Sequence, residues 1–279
     1  MSAINIPQEI SMILSSDTNS GAINKSTDGS YFEIQLQDGL SIPKDALNPT
    51  LEVQEASIWW TIPNIITGVN DKMYITGDDV ETTTRVFTVT IPQGLYDLPG
   101  LSQAINRDLE NQGAKISPSP LISMSPDEPT SKVEIRFNYA NVKVDFTQAQ
   151  TPREILGFNS TLLAPGFVST LLAPNVAAFN QVNYFLIHSD LTNKGIRFNN
   201  NYSQVVSQVL INVAPGSQIV STPFNPAKIH IPELTGTSRT NLRVWLTDDQ
   251  GRPVNTNGES WSCRIVIRYI KPYVITRGS

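Results

Sequence analysis

The strongest constraint on the fold of this chain is a strict alternation of apolar and other side chains near its C-terminus. Apolar residues occupy every second position in residues 242–247, and the same period resumes from Trp261 onward. Successive side chains of a strand point to opposite faces, so a period of two is typical of half-buried β-strands. The polar stretch between the two runs contains Gly251 and Gly258, which favour turns. We therefore predict a hairpin over residues 242–269, with its last strand central in the sheet.

Short apolar or alternating runs recur along the rest of the chain, and turn residues separate them. Many short strands with turns every ~8–12 residues are typical of a β-sandwich or barrel. The sequence therefore predicts an all-β fold. The further strand-like runs are residues 10–14, 31–36, 51–62, 74–77, 85–91, 133–137, 142–146, 182–188, 205–213, 218–221 and 228–231.

Two stretches depart from this pattern and predict short helices. In the first, apolar side chains recur at helical spacing between Asp97, a candidate N-cap, and Gly113. In the second, Thr151 is followed by Pro152 and, three residues after the cap, by Glu154. This order is the signature of a capping box with proline at the first helical position.

Composition along the chain predicts its domain organisation. Residues 1–30 are rich in Ser, Asn, Asp, Thr and Gly, and we expect them to form a flexible N-terminal arm. The remainder, residues 31–279, is expected to form one domain, with the irregular stretch 159–181 as the candidate for an internal boundary. Residues 113–131 contain four prolines and are expected to form a long, exposed, extended loop.

Charge and cysteine content narrow the classes of function. Charged residues make up 16% of the chain and the net charge is −5, so the molecule as a whole does not attract nucleic acid or anionic lipid. Cys263 is the only cysteine, which excludes an internal disulfide and a cysteine-based zinc site. We expect neither a secretory signal nor a transmembrane segment, because no apolar run approaches the ~18 residues that span a bilayer.

The two histidines are the first candidates for catalysis. His188 precedes Ser189 and Asp190, but adjacent residues of an extended chain point in different directions and do not converge as a catalytic triad. His230 is followed by Pro232, which interrupts the helix that metal ligands at this spacing would need. We interpret both as ordinary histidines at strand ends.

Acidic and aromatic residues raise two further alternatives, a calcium site and a sugar-stacking platform. Calcium takes several carboxylate and backbone oxygens, yet the EF-hand spacing is absent and a solvated acidic loop is the simpler interpretation. Tryptophans in strands mostly belong to the core. We therefore expect no catalytic, cofactor-binding or metal-binding residue. The residues concerned are Asp71, Asp78, Asp79 and Glu81 for calcium, and Trp59, Trp60, Trp245 and Trp261 for a sugar.

Four segments, in this order, resemble the jelly-roll penton (minor capsid) proteins of icosahedral double-stranded DNA viruses of the polinton-like virus, virophage and adenovirus lineage. The second segment carries a strand, a Pro-x-Gly-x-Tyr turn and a short helix, and the third ends in Leu-Gly-Phe. Together they span most of residues 30–270. The segments are residues 30–65, 87–110, 142–158 and 184–269.

The resemblance implies a jelly-roll β-sandwich with long loop insertions. It implies a structural virion protein that forms homopentamers at the five-fold vertices of the capsid, without enzymatic activity. Its implied partners are copies of itself, neighbouring trimers of the major capsid protein, and spike or inner membrane-associated proteins, with no direct binding of nucleic acid. Such a protein is made in the cytoplasm or nucleus of the host cell and is located in the virion.

Two alternatives stay open. A major capsid protein with a double jelly roll would need two comparable β halves, which the chain could supply on either side of residues 159–181. A carbohydrate-binding or host-attachment module would use exposed tryptophans. Electron microscopy of the assembled protein separates the first alternative from a penton, and glycan binding tests the second.

Overall fold

The computed structural model describes residues 2–179, 182–198 and 201–275, which form an all-β fold with one α-helix. The strands are β1 (Ser2–Ser15), β2 (Ala22–Ile23), β3 (Tyr31–Ser41), β4 (Leu47–Trp59), β5 (Lys72–Asp78), β6 (Thr84–Thr90), β7 (Ile122–Asp127), β8 (Lys132–Phe137), β9 (Lys143–Asp145), β10 (Leu162–Leu163), β11 (Ser169–Leu172), β12 (Tyr184–Ser189), β13 (Ile196–Phe198), β14 (Asn201–Leu210), β15 (Gln218–Ser221), β16 (Ile229–His230), β17 (Ser238–Thr247) and β18 (Ser262–Ile275). The helix is α1 (Leu98–Asn111), and single 3-10 turns occur at Thr18–Ser20 and Pro232–Leu234.

The chain divides into two compact units, one of which interrupts the other in sequence. The sandwich unit comprises Met1–Ile62 and Val182–Ser279, and the inserted unit comprises Pro63–Gln181. This division differs from the single domain expected over residues 31–279. The chain re-enters the sandwich unit directly after the irregular stretch 159–181.

Sheet A of the sandwich unit has the strand order β1-β18-β4-β15, and β16 also pairs with β4. All of these pairs are antiparallel. The predicted central position of the terminal strand is confirmed, because β18 lies between β1 and β4. Its alternation explains this position: Cys263, Ile265 and Ile267 are buried, whereas Arg264 is exposed.

The expectation of a flexible arm over residues 1–30 is wrong. Ser2–Ser15 forms β1, which pairs with β18 without a break in register. Leu14 is fully buried, and the apolar side chains of Ile10 and Met12 are partly buried. The strand-like run at residues 10–14 lies within β1, but the composition of residues 1–30 did not indicate that the strand starts at Ser2 or that its partner lies at the opposite end of the chain.

Sheet B of the sandwich unit has the order β13-β14-β12-β17-β3-β2, again with antiparallel pairs. The predicted hairpin over residues 242–269 is wrong, because β17 belongs to sheet B and β18 to sheet A. The polar segment between them therefore crosses from one sheet to the other. The alternation identified both strands correctly, but it carried no information about their pairing partners.

The core of the sandwich unit lies between sheets A and B, as a jelly-roll-like sandwich requires. Phe32 of sheet B meets the ring of Trp261, which directly precedes β18, edge to face with centroids 4.9 Å apart. Both rings are buried. Other fully buried side chains of this unit are Leu51, Ile58, Phe185, Ile187, Val209, Leu242, Val244, Leu246, Ile265 and Ile267.

The inserted unit has its own core between two smaller sheets and α1. Its sheets have the orders β10-β9-β5-β6 and β11-β8-β7. The expected extended loop at residues 113–131 is partly wrong, because it contains β7, which pairs with β8. Pro126 is tolerated there because β7 is an edge strand, where a missing N–H donor costs little. Large side chains of this core are Phe87, Phe137, Phe146, Met73, Ile75 and Leu101.

One of the two predicted helices is confirmed. Asp97 caps α1, since its carboxylate accepts a hydrogen bond from the N–H of Gly100 at 2.7 Å. The second is wrong: residues 152–157 form turns, and the hydroxyl of Thr151 donates to a carbonyl instead of capping a helix. Across the described ranges, no helix is both long enough and apolar enough to cross a membrane.

Candidate assembly surfaces

His188 lies near the end of β12 and is bound to neighbouring side chains of sheet B. Its Nε2 is 2.9 Å from Oγ1 of Thr247, and its ring stacks on Trp245 with centroids 5.2 Å apart. Burial lowers the pKa of His188 to about 4, so the ring is neutral at pH 7. The side chains of Ser189 and Asp190 accept hydrogen bonds from backbone N–H groups. The three residues therefore do not converge as a triad.

The acidic residues considered for calcium belong to the inserted unit, and two of them, Asp78 and Asp79, form hydrogen bonds with protein groups. Asp78 accepts a hydrogen bond from the hydroxyl of Thr84 at 2.6 Å, and Asp79 accepts one from the backbone N–H of Glu81 at 2.9 Å. Asp71 is 3% exposed. Within the part of the chain that the structure describes, no group of three or more His, Cys, Asp or Glu side chains is placed to hold a metal ion.

The tryptophans do not form one platform. Trp60 and Trp261 are buried, and Trp245 is partly buried against His188. Trp59 is the most exposed of the four, at 37%. The hypothesis of a sugar-stacking surface built from all four side chains is therefore wrong, since Trp60 and Trp261 belong to the core.

The sandwich unit has two lateral edges, and they differ in shape. At the groove edge, the outermost strand β1 of sheet A faces β3 of sheet B across an open groove. At the loop edge, β16 of sheet A lies near the segment that leads into β13 of sheet B. The two edges lie toward opposite ends of both strand orders, with only the two-residue strand β2 beyond β3, so they face away from each other around the sandwich.

The groove at the groove edge has a volume of about 610 Å³ and is lined by both polar and apolar residues. Ile10 and Met12 of β1 supply apolar surface on one side, and Leu36 of β3 supplies it on the other. Residues 36–39 leave the ladder with β17, because this ladder skips from Gln35 to Leu40. A bulge of this kind moves side chains away from regular strand positions. The bulged segment therefore forms one wall of the groove.

The loop edge carries an exposed aromatic side chain. β15 and β16 pair with opposite ends of β4, so the loop that joins them leaves the sheet between these two contacts. Phe224 lies in this loop between Pro223 and Pro226, and the residue is 97% exposed. Val220 on the adjoining strand is 57% exposed. Among the described residues, Phe224 has the largest exposed fraction of any large apolar residue.

The sequence analysis did not single out Phe224 or the groove. Phe224 lies outside every alternating run, in the segment Thr-Pro-Phe-Asn-Pro. Two prolines around an aromatic residue, between two strands, predict an aromatic side chain on a stiff exposed loop. The groove has no comparable signal, because it depends on β1 and β3 being neighbours in space.

Comparisons with known proteins show similarity to solved structures. No family model matches the chain, and no curated protein matches it. Among solved structures, the selenomethionine-labelled mavirus penton protein aligns with 94% of this chain and 100% of its own, at 12% identity and a TM-score of 0.46. A match at this level assigns no residue role and no partner to this chain.

Proposed function

We propose that this chain is a structural capsid protein of an icosahedral virus, a penton subunit that forms homopentamers at the five-fold vertices. The observation that carries the proposal is the difference between the two lateral edges of the sandwich unit. A ring is built from heterologous contacts, in which one surface of a subunit meets a different surface of the next. A groove on one edge and a projecting aromatic loop on the other are suited to such contacts.

The sequence supports the same proposal independently. The four segments that resemble penton proteins include β3 and β4 in the first, and the second half of β6 and most of α1 in the second. The resemblance therefore includes elements of both the sandwich unit and the inserted unit. It also supports a location in the virion, contact with trimers of the major capsid protein, and the absence of catalytic activity.

The layout of the chain favours a penton over a major capsid protein. A double jelly roll consists of two comparable sandwiches. Over residues 2–179, 182–198 and 201–275, the sandwich unit has a five-stranded and a six-stranded sheet, whereas the inserted unit has a four-stranded and a three-stranded sheet with one helix. The two units are therefore not matched halves.

The mass of the purified assembly tests the proposal. A pentamer of this 30.7 kDa chain has a mass of about 150 kDa by light scattering, and a trimer has about 90 kDa. We expect the pentamer, with five-fold rings in electron micrographs. A trimer with a pseudo-sixfold outline would support the major capsid protein instead, and a monomer up to the highest soluble concentration would refute both.

A further inference from the structure

We propose that the loop edge of one copy binds the groove edge of the next, with Phe224 inserted between β1 and β3 of its neighbour. This inference rests on the proposed function, since it names the surfaces that would join the subunits of the ring. The proposed occupant of the groove is the loop of residues 222–228 from a second copy of this chain.

Phe224 has the properties of an anchor residue. Its side chain is 97% exposed, and burial of a whole phenylalanine removes roughly 150–250 Å² from water. Pro223 and Pro226 each fix one backbone dihedral, so the loop loses little conformational freedom when it binds. An exposed aromatic side chain on a stiff loop adds little stability to the isolated chain. It stabilises a complex in which a partner buries it.

The groove offers a matching surface. Its volume of about 610 Å³ exceeds that of one aromatic side chain and leaves room for the flanking prolines. Ile10, Met12 and Leu36 provide apolar contacts within it. Methionine adapts its shape to an inserted ring and makes favourable contacts between sulfur and the aromatic edge.

Opposite charges on the two edges favour one orientation of the contact. Asp38 lines the groove, and Lys228 follows Phe224 by four residues on the loop edge. Both side chains are exposed, and neither forms an ion pair with any residue that the structure describes. Docking of the loop edge against the groove edge brings these opposite charges to the rim of one interface. Rim charges contribute more to orientation and to the rate of association than to affinity.

Because the two edges face away from each other, a single copy presents its loop to one neighbour and its groove to another. Such a contact is heterologous and repeats around an axis until the ring closes. A two-fold dimer would need the same edge from both copies, and two projecting loops or two grooves do not complement each other.

Cysteine cross-linking tests this geometry directly. Gln37 lines the groove and Asn225 follows Phe224, and both side chains are exposed. The native Cys263 is 2% exposed and stays out of the reaction. We expect a mixture of Gln37→Cys chains and Asn225→Cys chains to form a disulfide-linked dimer under mild oxidation. Either variant alone should give none, and the double variant should give a ladder up to five chains.

Removal of the anchor tests the energetics. Phe224→Ser should raise the concentration at which rings dissociate by at least about 30-fold, which is the effect of losing one hot-spot contact. Phe167→Ser is the matched control, because Phe167 is also exposed, at 64%, but belongs to the inserted unit. The control should assemble like the wild type. Asp38→Lys and Lys228→Glu should each weaken assembly, and their combination should restore it.

The outcomes separate this inference from the proposed function. If the wild type forms pentamers that Phe224→Ser leaves intact, and the mixed cysteine variants do not cross-link, the contact is refuted and the penton remains. If Asn225→Cys cross-links to itself, the contact is isologous and the ring geometry is wrong. A wild type that stays monomeric and unlinked refutes both.

Discussion

Trp261 joins three separate parts of the sandwich unit, and its replacement by Phe tests how the core is held together. Its indole N–H donates to the carbonyl of Gly29 at 3.0 Å, and its backbone N–H donates to the hydroxyl of Ser16 at 2.9 Å. Its ring lies against Phe32 of sheet B. Trp261→Phe keeps an aromatic ring in the core but removes the indole donor and part of the packed volume.

Two costs set the expected magnitude. The carbonyl of Gly29 loses its indole donor in a buried site, which costs about 1–3 kcal/mol. The smaller ring leaves a cavity, which adds on the order of 1 kcal/mol. We therefore expect Trp261→Phe to lower the free energy of unfolding by about 2–4 kcal/mol.

Urea unfolding followed by far-UV circular dichroism measures this difference. Trp59→Phe is the control, because the chemical change is identical but Trp59 is 37% exposed, and its effect should stay within about 0.5 kcal/mol. Both variants and the wild type are compared at one protein concentration, since assembly shifts apparent stability. Equal losses in the free energy of unfolding for Trp261→Phe and Trp59→Phe would refute the stabilising role proposed for the Trp261 indole.

Three further predictions follow from single residues. Burial raises the pKa of the Cys263 thiol to about 12, so an aromatic disulfide reagent at pH 8 should leave native protein unmodified and titrate one thiol after unfolding in guanidinium. Asp97→Ala should cost about 1 kcal/mol in urea unfolding because α1 loses its cap, whereas Asp97→Asn should retain most of that stability. The pKa of His188 is lowered from 6.5 to about 4, so between these values the unfolded chain binds a proton that the folded chain does not. Stability should therefore fall as pH drops through this window, by about 1 kcal/mol more in the wild type than in His188→Gln after allowance for partial exposure; equal pH profiles would contradict this.

The sequence predicted those elements whose signal is local. The alternation in residues 31–36 and 261–270 appears as strands β3 and β18, and the cap at Asp97 begins α1. Each of these signals depends on side chains that are close together in the sequence. Burial of one face determines such a pattern wherever the partner strand comes from.

The errors concern pairing and distance along the chain. β1 pairs with β18 from Ser2↔Ile275 to Ser15↔Ser262. No local property of residues 1–30 indicates which strand they pair with. Residues 151–154 match the sequence pattern of a capping box, but residues 152–157 form turns, and Gly157 adopts a left-handed φ of 78°. A Cβ at Gly157 would lie 2.3 Å from the carbonyl oxygen of Asn175, so the packing of the inserted unit determines this conformation instead of helix propensity.

Two parts of the proposed contact lie outside the regular strand ladders, whereas Ile10 and Met12 lie on β1. Phe224 projects from a loop between two strands, and residues 36–39 bulge out of their ladder. Regular strands bury their apolar faces within one chain, so a strand pattern contains little information about contacts between chains. If Phe224 and the bulge join successive subunits, the irregular positions of this β-sandwich, and not its core, determine the order of the ring.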